Sequence, residues 1–141
     1  KTYQLLNNAF THVSYIDYTY DGNGNRTSRT NYNSFGGPDF NIGGTYTYFY
    51  EENVRVRWEM AMDGNVLEKG ILTYNEDGKL IDETVQTGWG NMPFDNSWRL
   101  RYVYNNDGTL NTSFTDYWEN GAWNNASSDW FYYDEHGNCI E

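Results

Sequence analysis

The sequence holds one cysteine, two prolines, two histidines, and nine Lys or Arg against 20 Asp or Glu. A lone cysteine, Cys139, excludes an internal disulfide and leaves the redox compartment open. Two histidines and one cysteine are too few for a transition-metal centre, so no metal and no cofactor is expected. A net charge of −11 argues against nucleic acid and anionic membrane surfaces as partners, because both demand clustered Lys and Arg. No apolar run approaches a transmembrane span, so membrane insertion is not expected. No stretch has a 3.6-residue apolar period, and the density of Gly and Asn disfavours helix throughout. The chain begins at Lys1 rather than Met, which reads as a processed or excised piece.

What is abundant is aromatic surface. With 14 Tyr, 7 Phe and 6 Trp, aromatics offset a hydrophobic fraction of only 38%. Each buries a large area, but tyrosine keeps a hydroxyl that needs a partner, so a thin, half-wetted architecture is expected. At 141 residues, a single domain over 1–141 is expected.

The chain repeats itself. Tyr20-Asp21-Gly22-Asn23-Gly24, Tyr74-Asn75-Glu76-Asp77-Gly78, Tyr104-Asn105-Asn106-Asp107-Gly108 and Tyr133-Asp134-Glu135-His136-Gly137 share the pattern Tyr-[Asp/Asn]-x-x-Gly. Asp or Asn opens a type I turn by accepting from the backbone ahead of it. Gly three residues later takes the left-handed conformation that closes a three-residue hairpin loop. Phe49-Tyr50-Glu51-Glu52-Asn53 is a degenerate copy with Asn in the glycine place, and Met60–Asn65 a weaker one. Positions 24, 53, 78, 108 and 137 fall roughly 29 residues apart, the spacing of hairpin pairs. Turns at the opposite end fall between them: Ser34–Gly44, the Gly64 copy, Gly88–Asn96 and Asn120-Gly121.

Strict alternation from these turns gives the register. Tyr104 then faces Leu110, Leu100 faces Phe114, Trp118 faces Trp123 and Leu110 faces Phe131. Trp98, Leu100, Tyr102, Tyr104, Leu110, Phe114, Trp118, Trp123, Phe131 and Tyr133 share one face. So do Tyr46, Tyr48, Tyr50, Val54, Val56, Trp58, Met60, Val66, Leu72 and Tyr74. The reverse face, with Arg55, Arg57, Glu59, Lys69, Glu83, Arg99 and Arg101, reads as solvent. The fold expected is all-β: an antiparallel up-and-down meander of about ten strands. Its aromatic face is too large to expose, so the sheet is expected to curl into a barrel or shell. A two-sheet sandwich and a homodimer are the alternatives.

The Tyr-[Asp/Asn]-x-x-Gly copies resemble the YD-type repeats of bacterial RHS-like surface and toxin proteins. With Trp118-Glu119-Asn120-Gly121-Ala122-Trp123, the chain is more similar still to tyrosine- and tryptophan-rich repeat proteins of unknown function exported by Bacteroidetes. That resemblance spans most of residues 15–141. It implies a coiled β-hairpin sheet and an extracellular, cell-surface or periplasmic location. It carries over no catalytic residue.

Four groups of residues are candidate sites. Asp21-x-Asn23-x-Asn25 opens like a calcium loop, but its sixth and twelfth positions are Arg26 and Tyr32 instead of Gly and Glu, and the turn already explains it. His136 and Cys139 are better explained as a turn residue and a small core hydrophobe than as a nucleophilic pair. Asp82, Asp116 and Asp129 fall on the expected core face, where two facing carboxylates would make a small carbohydrate-active hydrolase. Trp89, Phe94, Trp118 and Trp123 cluster at the opposite-end turns and are the candidate ligand-binding residues, beside Phe35 and Phe40. Trp118 and Trp123 also suit a plain cross-strand pair, and Trp130 and Tyr132 stand out on the polar face. The function expected is a non-catalytic extracellular binding or scaffolding module for a glycan or a surface protein, with the hydrolase as the alternative.

Overall fold

The computed structural model describes residues 2–6, 9–34, 41–90 and 92–140, with side chains from 14 onward. Phe35, Gly36, Gly37 and Phe40 lie outside the described residues. Ten strands follow one another: β1 (Thr2–Leu6), β2 (Ala9–Tyr20), β3 (Arg26–Asn33), β4 (Asn41–Glu51), β5 (Val54–Met62), β6 (Asn65–Tyr74), β7 (Leu80–Thr87), β8 (Asp95–Tyr104), β9 (Leu110–Glu119) and β10 (Ala122–Trp130). Their order in the sheet is their order in the chain, and no described residue is helical. This is the all-β up-and-down meander that turn chemistry predicts. The order is linear, with β1 and β10 at its ends, so neither a closed barrel nor two sheets is formed. The chain divides into two compact units, Lys1–Lys69 with Gly88–Met92, and Gly70–Thr87 with Pro93–Glu141.

The repeat turns share one backbone. The amides of Asp21, Asn75, Asn105 and Asp134 donate to the carbonyls of Asn25, Lys79, Thr109 and Asn138 at 2.8–3.0 Å. Each turn glycine, 24, 78, 108 and 137, has φ between 74° and 87° and donates back to the first turn residue. The Oδ1 of Asp21, Asn75 and Asp134 accepts two amides ahead of it. At Asn105 that task passes to Asp107, whose Oδ1 accepts the Thr109 amide and hydroxyl. The degenerate copy differs in kind. Glu52 and Asn53 both have positive φ and Glu51 pairs with Val54, which makes a two-residue turn like those at Asp63-Gly64 and Asn120-Gly121.

Register is where strict alternation fails. A bulge follows the turns: Thr19 pairs with Ser28 but Tyr20 with Arg26; Phe49 with Arg57 but Tyr50 with Arg55; Val103 with Thr112 but Tyr104 with Leu110. One extra residue reverses which face every later side chain joins. Tyr104 does face Leu110, but Leu100 faces Thr115, and Phe114 lies opposite Arg101. A second bulge between Asn125 and Ser127 sets Phe131 against Asn111, to whose carbonyl its amide donates at 2.9 Å, rather than against Leu110. Aromatics therefore occupy both faces in each unit, and no single aromatic face is left whose burial demands a barrel.

In the first unit Trp58 is the buried hydrophobe, its ring 5.7 Å from that of Tyr46. Thr30 and Thr45 hydroxyls bond across β3 and β4, and Tyr15 stacks on Tyr32 at 4.4 Å. In the second unit Val85 and Leu72 are buried together with two polar residues, Thr112 and Asp116. The thin core matches an aromatic-rich, aliphatic-poor composition.

Candidate functional site

The segment after β7 is fixed to β6 by the Gly88 amide, which donates to the Leu67 carbonyl at 2.9 Å. It then turns tightly, with the Met92 amide donating to the Trp89 carbonyl at 3.0 Å and Gly90 at φ 60°. On this turn Trp89 stands 72% exposed. Beside it lies the Asp63-Gly64 turn, held by Asn65 Nδ2 donating to the Asp63 carbonyl. Met62, Asp63, Asn65, Leu67, Trp89 and Gly90 enclose a recess of about 250 Å³. Its walls are mainly apolar, with Asp63 and Asn65 as the polar residues among them. Such a space holds about one sugar ring or one side chain, with an aromatic plate to stack on.

Of the four residues nominated from sequence, Trp89 lines this recess. Trp118 and Trp123 are cross-strand partners in the second unit, their rings edge to face at 5.0 Å, as the plain hairpin reading has it. Phe94 is half-buried in the same unit. Sequence reasoning misses Met62, Asp63, Asn65 and Leu67. Leu67 carried the missed signal. It alternates with Val66 and so shares a face with Lys69, whose ammonium is 4.0 Å from Glu59; an aliphatic side chain on a charged face marks a local recess.

The remaining candidates resolve into structure. Both Asp21 carboxylate oxygens accept within their own turn, from the Asn23 and Asn25 amides and from Asn25 Nδ2, which lowers its pKa. Cys139 is exposed rather than a core hydrophobe, because the strand position it holds opposite Tyr133 lies beyond β10 at the end of the sheet order. His136 is exposed at its turn, 3.6 Å from Glu135. Asp116, 1% exposed, accepts from Arg101 Nε at 2.6 Å, Arg99 Nε at 2.8 Å and Asn125 Nδ2 at 3.1 Å. These donors, Arg101 foremost, hold its carboxyl far below the usual range. The guanidiniums lie 4.6 Å from the rings of Trp123 (Arg99) and Phe114 (Arg101). The face read as solvent thus carries the second unit's buried ion cluster. Asp129 pairs with Ser113, in register with Tyr102, while Asp116 pairs with Asn125, in register with Arg99, so the two carboxylates lie on opposite faces. Asp82 lies on the Asp116 side, opposite Arg101, and accepts from the Thr84 hydroxyl. Trp130 and Tyr132, both exposed, line a broad shallow recess with Ser128, Asp129 and Phe131.

The chain matches no protein-family model and no curated protein. It is similar in fold to a protein of unknown function from Bacteroides fragilis, whose crystal structure covers 83% of this chain and 91% of its own at 15% identity, with a TM-score of 0.64. A DUF3836 family protein from Bacteroides vulgatus covers 79% and 90% at 14% identity, with a TM-score of 0.36.

Proposed function

We propose that the protein is a non-catalytic extracellular binding module of the exported bacterial repeat type, and that the Trp89 recess takes a sugar ring or an apolar side chain of a surface protein. The observation that carries the reading is Trp89 itself: a large aromatic, 72% exposed on a turn pinned to β6, beside an apolar hollow. A pinned aromatic loses little entropy on binding. A carboxylate hydrolase has less support. It needs one carboxyl that keeps its proton near neutrality, whereas each carboxylate here with a shifted pKa (Asp21, Asp107, Asp116 and Asp134) is lowered.

The test is a screen of the purified chain against immobilised glycans and surface-protein extracts, repeated with Trp89→Ala. Binding that falls about ten-fold in the variant, with an unchanged circular dichroism spectrum, supports the reading. Turnover of a glycan, or a ligand held equally by the variant, overturns it.

A further inference from the structure

The face of the first unit that bears Tyr18, Tyr46 and Tyr48 carries more arginines than strict alternation would put there. Arg26 stands opposite Tyr20, and the bulge between Thr19 and Tyr20 leaves the Thr27 and Ser28 hydroxyls together on the other side, both bonded to Thr19. Arg55 likewise stands opposite Tyr50, and the bulge between Phe49 and Tyr50 sets Arg57 opposite Phe49. Past the first bulge Arg29, which strict alternation from the turn sets against Asp17, comes into register between Tyr18 and Tyr46. The result is a checkerboard. Arg26 lies 5.2 Å from the ring centres of both Tyr18 and Tyr48, Arg29 lies 5.4 Å from Tyr46, and Arg55 lies 5.4 Å from Tyr48 on its own strand's side.

Charge is segregated across this sheet. The described carboxylates within β2 to β5, Asp17, Glu51 and Glu59, pair with Thr30, Val54 and Thr47 on the opposite face. There Glu59 takes Arg57 at 3.3 Å. Arg26 and Arg29 have no carboxylate partner among the described residues. Arg29 Nε donates to Asn31 instead. Cation–π contact with the tyrosine rings holds these guanidiniums on this face, and the planar N–H fork of a guanidinium matches a carboxylate or sulfate in bidentate contact. Tyr18 and Tyr20, on the same face and exposed, offer plates for the rings between such groups. The arginines are spread over β3 and β5, about 10 Å apart across two strand spacings, which suits a polymer that repeats its charge better than a single small anion. A chain of net charge −11 repels a polyanion as dense as nucleic acid, which leaves a sparser one.

From this geometry we infer a second binding surface, separate from the Trp89 recess: the face bearing Arg26, Arg29 and Arg55 with Tyr18, Tyr46 and Tyr48 binds an acidic polysaccharide. Its guanidiniums grip the carboxylate or sulfate groups, and its exposed tyrosines stack on the sugar rings.

Affinity electrophoresis and calorimetry of the full chain with polygalacturonate, chondroitin sulfate and uncharged dextran test this. The expected result is binding to at least one acidic polymer and not to dextran, weakening as salt rises. The double variant Arg26→Gln/Arg29→Gln should lose about ten-fold or more in affinity. The double variant Arg26→Lys/Arg29→Lys, which keeps the charge and loses the flat fork, should lose less but still lose. Trp89→Ala should bind the acidic polymers unchanged. The inference is overturned if wild-type protein binds neither acidic polymer, binds dextran or single-stranded DNA as well, or if either arginine variant with a native circular dichroism spectrum binds like wild type. Loss of this binding through Trp89→Ala alone would also overturn it, while leaving the Trp89 reading standing.

Discussion

The Tyr50 hydroxyl donates to the carbonyl of Arg26 at 3.0 Å, and the Tyr104 hydroxyl donates to that of Leu80 at 2.8 Å. In each case the tyrosine precedes one turn and the acceptor is the first residue of the strand that leaves the previous turn at the same end, 24 residues earlier. Neighbouring turns are tied further by Asn23 and Asn25 donating to Asn53 Oδ1 in the first unit and by Lys79 Nζ donating to the Gly108 carbonyl in the second. At these two copies the repeat tyrosine is therefore a strap between successive hairpins, as well as apolar surface.

Tyr104→Phe keeps the ring and removes the strap. It should cost about 1 kcal/mol, the worth of one hydrogen bond to a backbone carbonyl. Urea denaturation would show the midpoint moving with the slope unchanged. A variant as stable as wild type would mean that the ring alone matters at this place.

Gly78 has φ 74° and open space where a Cβ would stand, so only backbone strain opposes a side chain there. Gly78→Ala should destabilise by about 1 kcal/mol, and Gly78→Asn by less, because Asn tolerates the left-handed region. Equal cost for the two, read by the same denaturation, would point to a side-chain clash instead.

Much of this fold was legible because its turns are written in side-chain chemistry. Asp21, Asn75 and Asp134 accept the amides ahead of them, and the glycines that follow sit where only φ above zero closes the loop. The bulges were not legible, because the extra residue at Thr27, Val56 or Asn111 has no composition of its own. Strict alternation consequently puts Phe114, Arg55 and the ion cluster around Asp116 on the wrong faces. Of the candidate site, Trp89 was legible as an aromatic in a glycine-rich turn. Its partners Met62 and Leu67 lie on other strands, and only the meeting of two turns in space brings them to it.

Trp89→Ala should leave thermal stability unchanged within a degree or two, since so exposed a side chain buries little on folding. Trp118→Ala should lower it, because that ring packs edge to face against Trp123 in the β9–β10 hairpin; about 1 kcal/mol or more is expected. A thermal melt of both variants separates a residue kept for binding from one kept for the fold. A large destabilisation by Trp89→Ala would place it with the second kind.

Asp116 gives the fold an acid limit. Its pKa is lowered in the folded state from the ordinary carboxyl value, chiefly by Arg101, with Arg99 and Asn125 adding to the effect. A carboxyl with a depressed folded pKa contributes stability that is fully present above its unfolded pKa. That contribution is lost as pH falls from there toward the folded value. The turn aspartates Asp21, Asp107 and Asp134 are lowered too and act in the same direction. Asp116→Asn removes the charge that Arg99 and Arg101 share, in a site where the carboxylate is buried and the guanidiniums partly wet. It should cost about 2 kcal/mol at pH 7, below the about 3–5 kcal/mol of a fully buried broken pair because both arginines can turn to water. The gap between wild type and variant should then narrow as pH falls below about 4, since the unfolded wild type there takes up a proton that the folded protein, with Asp116 held ionised by its arginines, does not. Urea denaturation of both proteins at pH 7 and at pH 3 measures it. A gap of the same size at both values would mean that Asp116 stabilises the sheet by shape and hydrogen bonding, with its charge contributing nothing.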